Sequence, residues 1–151
     1  MKDFKSIDEI LDFAIHNEQI AVDFYVNLAS KFNDKSMKQT FEGFAKEEMG
    51  HKARLTGIKE KGLFEMRQED VMDLKITDYV VRSEPSGDMS YPEALRLAMK
   101  REKAAFRLYN KLSELAPNTE MVKLFKGLAQ EEAKHKLRFE IEYDDEVLKN
   151  N

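Results

Sequence analysis

An internal repeat restricts the fold of this chain more than any other feature of its sequence. Residues 7–55 align with residues 91–139 at a constant offset of 84 and without a gap, and 16 of the 49 aligned positions are identical. The identities include Leu11/Leu95, Ala14/Ala98, Glu18/Glu102, Tyr25/Tyr109, Phe41/Phe125, Glu48/Glu132 and His51/His135. A repeat of this kind sets the architecture. Ser6 with Glu9, and Ser90 with Glu93, have the spacing of a capping box at a helix start. Asn33-Asp34 and Pro117-Asn118-Thr119 are turn signals in the middle of each copy, and Gly62 is a helix stop. The pattern predicts four helices near 6–31, 36–61, 91–115 and 119–148. They form two hairpins, 6–61 and 91–148, joined by a crossover over 62–90. The expected fold is an all-α four-helix bundle in a single domain, 1–151.

Apolar residues at helical spacing mark the inward face of each helix. Leu11, Ala14, Ile15, Val22, Tyr25 and Leu28 line the first, and Met37, Phe41, Phe44, Leu55 and Ile58 the second. Leu95, Ala98, Ala105, Tyr109 and Leu112 line the third, and Met121, Phe125, Leu128 and Phe139 the fourth. A glutamate sits near the centre of every stripe: Glu18, Glu48, Glu102 and Glu132. That is where an unpaired charge costs most. Glu18 and Glu48 average to position 33, at the first turn, and Glu102 and Glu132 average to 117, at the second, so each pair is level. The crossover is long for a bundle. It can run the bundle's length and start the third helix parallel to the second, which relates the halves by a two-fold axis through the glutamate layer. Residues 71–81 are expected to form a short helix or extended segment on the outside.

His51 follows Glu48 by three residues and His135 follows Glu132 by three, so each pair points the same way from one helix turn. Four carboxylates and two imidazoles at one level match the bundle-core site built for two metals from two glutamates and two Glu-x-x-His pairs. Four ionised carboxylates in an apolar core would repel one another and take up protons, and two divalent cations would cancel their charge. Oxygen-rich ligation with one nitrogen per metal suits iron or manganese better than copper, without excluding zinc. The chain has no cysteine, which removes disulfides, thiolate sites and thiol catalysis. Its net charge is -4 with no basic run, which argues against nucleic acid as a partner. No apolar run is long enough to span a membrane and no signal peptide is evident, so a cytoplasmic location is expected.

On these residues the sequence resembles the ferritin-like diiron-carboxylate superfamily, and within it the rubrerythrin-like proteins. The segments that carry the likeness are AIHNEQIAVDFY, FAKEEMGH, AMKREKAAFRLY and LAQEEAKH. The likeness covers residues 6–61 and 91–148. It implies two iron ions, with manganese or a mixed pair as variants, bridged by Glu48 and Glu132. Glu18 with His51 would complete one metal, and Glu102 with His135 the other. It also implies an oxidoreductase that reduces a small oxidant, H2O2 or O2, with electrons from a separate donor protein, and a homodimer. Two departures stand out. Rubrerythrins proper carry a cysteine-ligated rubredoxin domain, which a chain without cysteine cannot contain. They also typically carry an additional glutamate ligand one turn after the third-helix glutamate, where this chain has Ala105.

Other readings accompany these. Tyr25 and Tyr109 either pack in the core or hydrogen-bond to ligand carboxylates and orient them. Glu47 and Glu131 sit about 100° off the inward stripe and are expected on a solvated face, with support of the neighbouring ligands as the alternative. His16 is expected at the surface, and residues 140–146 as an exposed acidic helix end. A ferritin-like protein that binds, oxidises and stores iron is the alternative function, and a metal-stabilised scaffold without catalysis is a third.

Overall fold

The computed structural model describes residues 3–32, 34–81 and 89–149. Four long helices carry the chain: α1 (Ile7–Lys31), α2 (Lys35–Lys61), α4 (Tyr91–Glu114) and α5 (Thr119–Lys149). The crossover holds a short helix, α3 (Gln68–Asp73), and a 3-10 turn over Ile76–Asp78. Each of the four long helices starts at a side chain that satisfies a backbone amide left free by the helix geometry. Ser6 Oγ accepts from Glu9 N at 3.2 Å, and Ser90 Oγ from Glu93 N at 3.2 Å. Asp34 Oδ1 accepts from Met37 N at 3.1 Å, and Asn118 Oδ1 from Met121 N at 2.9 Å. Gly62 ends α2 at φ 62°, ψ 36°, a left-handed conformation that glycine adopts without a Cβ penalty. Asn33 of the first turn lies outside the described residues, as do residues 82–88 of the crossover.

Side-chain contacts establish the topology. Tyr25 reaches Glu102 while Tyr109 reaches Glu18, so α1 and α4 run antiparallel. His51 meets Glu131 and His135 meets Glu47, so α2 and α5 are antiparallel too. Since α1 and α2 form a hairpin, α4 runs parallel to α2, the order expected of a long crossover. Exchanging residue n with n+84 maps each of these contacts onto its counterpart, which is the two-fold relation anticipated from the repeat.

The core is divided in two. At one end Ile10, Leu11, Leu55, Leu112 and Phe125 pack with crossover residues that include Phe64, Val71 and Leu74. At the other, Val22, Leu28, Phe41, Leu95 and Phe139 pack together, and the crossover lays only the half-buried Val81 and Met89 against them. α2 ends at the first and α4 begins at the second, so the crossover travels the length of the bundle. Residues 71–81 combine both expected conformations, a helical turn and extended links, with one side sunk into the core. Residues 140–146 differ in part from a solvated end. Glu142 accepts a hydrogen bond from Tyr91 at 3.1 Å, while Asp144 and Asp145 are exposed. Among the described residues no helix is long and apolar enough to cross a membrane.

Phe125 is fully buried and meets Phe64 edge-on with ring centres 5.1 Å apart. Phe125→Ala is expected to cost about 3–5 kcal/mol, against about 1 kcal/mol for the cap deletion Ser90→Ala. Urea unfolding followed by helical circular dichroism measures both.

Candidate metal centre

Between the two core halves lies the polar layer. Glu18 of α1, Glu48 and His51 of α2, Glu102 of α4, and Glu132 and His135 of α5 are each no more than 2% exposed. Two pairs come from single helix turns, because three residues apart on a helix places side chains on one face. The four helices bring all six together. His51 Nδ1 lies 3.1 Å from Glu132 Oε1, 3.6 Å from Glu48 Oε1 and 3.7 Å from Glu18 Oε2. His135 Nδ1 lies 3.1 Å from Glu48 Oε1, 3.6 Å from Glu102 Oε2 and 3.9 Å from Glu132 Oε1.

One donor atom on each of the six residues is buried and makes no hydrogen bond: Glu18 Oε2, Glu48 Oε1, His51 Nδ1, Glu102 Oε2, Glu132 Oε1 and His135 Nδ1. Buried polar groups ordinarily find partners, and here all six orphaned atoms face one another. They fall into two groups whose atoms lie within 4.8 Å of one another, Glu18–Glu48–His51–Glu132 and Glu48–Glu102–Glu132–His135. Glu48 and Glu132 belong to both. Each group offers three carboxylate oxygens and one imidazole nitrogen, a donor set that fits a hard divalent or trivalent ion.

The second oxygens of Glu18 and Glu102 and the outer nitrogens of both histidines are held by partners from other helices. Tyr25 of α1 donates to Glu102 of α4, and Tyr109 of α4 donates to Glu18 of α1. Both rings are also fully buried, so orienting a carboxylate and packing the core are one placement. The outer Nε2 of His51 meets Glu131 of α5, and that of His135 meets Glu47 of α2. Here the solvated-face expectation is half right. Glu47 is 55% exposed and Glu131 39%, yet each also grips a histidine across the bundle. A carboxylate on Nε2–H leaves Nδ1 as the inward donor and fixes the ring's direction. Phe44 supports His135 further, stacking on its ring at 4.0 Å. The doubled glutamate in both EE-x-x-H segments was the available sequence signal, but which neighbouring helix Glu47 would meet depends on the packing of α2 on α5. His16 is exposed, as expected.

The electrostatics follow from the crowding. Burial raises the Glu48 and Glu132 carboxyls well above their ordinary range, and neighbouring carboxylates push the same way. Burial also acts to raise Glu18, but contacts with His51 and Glu48 outweigh it and leave that carboxyl lowered. Burial would lower the imidazoles, yet the surrounding carboxylates prevail and raise His51 to about 9 and His135 to about 10. Tyr25 and Tyr109 are raised well above the phenol range by burial and by the adjacent glutamates, so they act as donors.

A cavity of about 430 Å³ opens between α1 and α4 and reaches down to all four glutamates. Ala14, Ala21, Phe24, Ala105 and Leu108 form its walls, and Asn17, Asp23 and Arg101 stand at its rim. Tyr79 and Val81 of the crossover border it.

The fold and the layer define a class, a ferritin-like helical bundle with a buried Glu/His cluster able to bind metal. Within that class the chain belongs to the rubrerythrin family, whose model matches residues 9–143. The fold is similar to that of a crystallised Thermotoga maritima protein, itself proposed to be a ferritin-like diiron-carboxylate protein. The TM-score is 0.79 at 22% identity, covering 97% of this chain and 99% of that one. A comparison with curated proteins finds none that matches this chain.

At neutral pH His51 and His135 hold protons that an arriving cation must displace. Metal binding is therefore expected to release at least about two protons, with the raised Glu48 and Glu132 carboxyls able to add to them, and to tighten as pH rises toward 9–10. Calorimetry in buffers of different ionisation enthalpy measures the release. The metal-free fold has the opposite trend. The histidines keep a proton that the unfolded chain loses near 6.5, so their contribution is complete below 6.5 and lost as pH passes through 9 and 10. The raised Glu48 and Glu132 act in the same direction. Chelated protein is expected to melt at a lower temperature at about pH 9 than at about pH 6. Separately, Glu47→Gln and Glu131→Gln are expected to weaken metal binding by about 10–100-fold, with the fold retained.

Proposed function

We propose that the layer holds two iron ions and that the protein is an oxidoreductase reducing a small oxidant, H2O2 or O2, with electrons from a separate donor protein. The six orphaned buried donor atoms carry this reading. Glu48 and Glu132 would bridge the pair, Glu18 with His51 would complete one position, and Glu102 with His135 the other. Bound iron would supply one-electron redox chemistry. The class proposed for the structurally similar Thermotoga maritima protein agrees with that choice of metal.

The chain's own residues do the rest. Tyr25 and Tyr109 hold Glu102 and Glu18 in place, and Glu131 and Glu47 hold the two imidazoles. The apolar half-cores close the layer off along the bundle axis, while the cavity between α1 and α4 gives an oxidant a route to it from the side. Ala105 lies on that route, so the position of the additional family ligand is occupied by a methyl group at the cavity wall.

Protein loaded anaerobically with ferrous iron is expected to bind about two ions per chain and to be oxidised on mixing with H2O2 or O2, followed by stopped-flow absorbance. Glu48→Ala and Glu132→Ala are each expected to weaken binding at least about tenfold, because each removes a ligand shared by both positions. Unchanged metal content in both variants would overturn the assignment. Uptake of many irons per chain would point to storage instead.

A further inference from the structure

We propose that the cavity between α1 and α4 binds an uncharged organic hydroperoxide, which the centre reduces to its alcohol. This rests on the oxidoreductase reading above and names its substrate class. The first observation is size. At about 30 Å³ per water, 430 Å³ has room for roughly fourteen waters, several times what one H2O2 or O2 requires. It falls instead in the range of pockets that take organic molecules, roughly 300–1,000 Å³.

The second observation is chemistry. The walls are apolar, and much of the space exists because positions 21, 104 and 105 carry only methyl groups. The polar groups are concentrated at the two ends. Glu18, Glu48, Glu102 and Glu132 form the floor, where they disfavour an anion. Asp23 and Arg101 at the rim are opposite in sign and select for neither charge. Apolar walls with a reactive floor suit a neutral molecule with an apolar body and one polar end.

In the reaction the O–O bond breaks. The oxygen on carbon is retained as the alcohol and the terminal oxygen leaves as water: ROOH plus two electrons plus two protons gives ROH plus H2O. A reduced one-electron carrier protein supplies the electrons in two steps; in a single turnover, ferrous iron loaded beforehand supplies them.

Cumene hydroperoxide and its alcohol, 2-phenyl-2-propanol, are the probes. Calorimetry on chelated protein is expected to show saturable binding of the alcohol. Ala104→Phe, which fills the cavity, is expected to weaken that binding at least about tenfold while metal content and helical circular dichroism stay as in the parent. Ala21→Leu is the second filling variant if the first does not fold. Ferrous protein is expected to be oxidised by cumene hydroperoxide at least as fast as by H2O2, giving the alcohol and not acetophenone, the product of one-electron cleavage. The proposal is overturned, with the oxidoreductase reading intact, if H2O2 reacts more than about tenfold faster than cumene hydroperoxide. It is equally overturned if the alcohol does not bind or binds the filled variants unchanged. If neither peroxide oxidises the ferrous protein, the proposal falls, and if O2 fails as well, the oxidoreductase reading falls with it.

Discussion

Four carboxylates packed into the centre of an apolar bundle are the constraint on which the rest of this structure depends. Charges of one sign at such separations, out of water, repel strongly. The fold does not remove the conflict by turning the groups to solvent, since all four stay buried. It partly relieves it by placing two imidazoles among them and by raising the Glu48 and Glu132 carboxyls toward neutrality. The residual misfit is visible in the six donor atoms without hydrogen bonds. A bundle that tolerates this at its midpoint is able to hold a cation there, and the two apolar half-cores above and below provide the stability that lets it do so.

The contacts that discipline the layer all cross between the two repeats. Tyr25 belongs to the first copy and holds a glutamate of the second, and Tyr109 returns the contact. Glu47 and Glu131 do the same for the histidines. Neither hairpin carries a complete site: each of the two donor groups draws on both copies. Assembly of the halves and construction of the centre are thus one event. The crossover makes this possible, because only a connection that travels the length of the bundle sets α4 parallel to α2 and gives the exchange its symmetry.

The symmetry stops at the periphery. The crossover adds Phe64, Val71 and Leu74 to one half-core alone, and its Tyr79 and Val81 border the cavity between α1 and α4. The opposite side, between α2 and α5, is instead where Glu47 and Glu131 connect the histidines to the surface. A symmetric centre therefore has two unlike approaches, one apolar and reaching the carboxylates, the other polar and reaching the imidazoles. On the oxidoreductase reading proposed above, this division would admit the oxidant from one side and leave the other for the exchange of electrons or protons.

Much of this was legible in the residues. The repeat with its fixed offset determined the helix hairpins, and Ser6, Asp34, Gly62 and Ser90 determined helix ends through local hydrogen bonding and backbone conformation. Period 3.6 put Glu18, Glu48, Glu102 and Glu132 on inward faces, and the i, i+3 spacing added His51 and His135; helix geometry is local, so sequence suffices for it. The partners of the outer imidazole nitrogens were not legible. Glu47 points away from its own helix's apolar stripe, and only the lateral packing of α2 against α5 turns that outward direction into a contact with His135. The cavity is likewise a product of packing, since Ala21, Ala104 and Ala105 are ordinary helix residues until two helices set them opposite one another beneath the crossover. The sequence alone determined which groups would meet at the centre. Tertiary structure decided how they are held and from which side they can be reached, because both depend on the distances between helices, which no local pattern encodes.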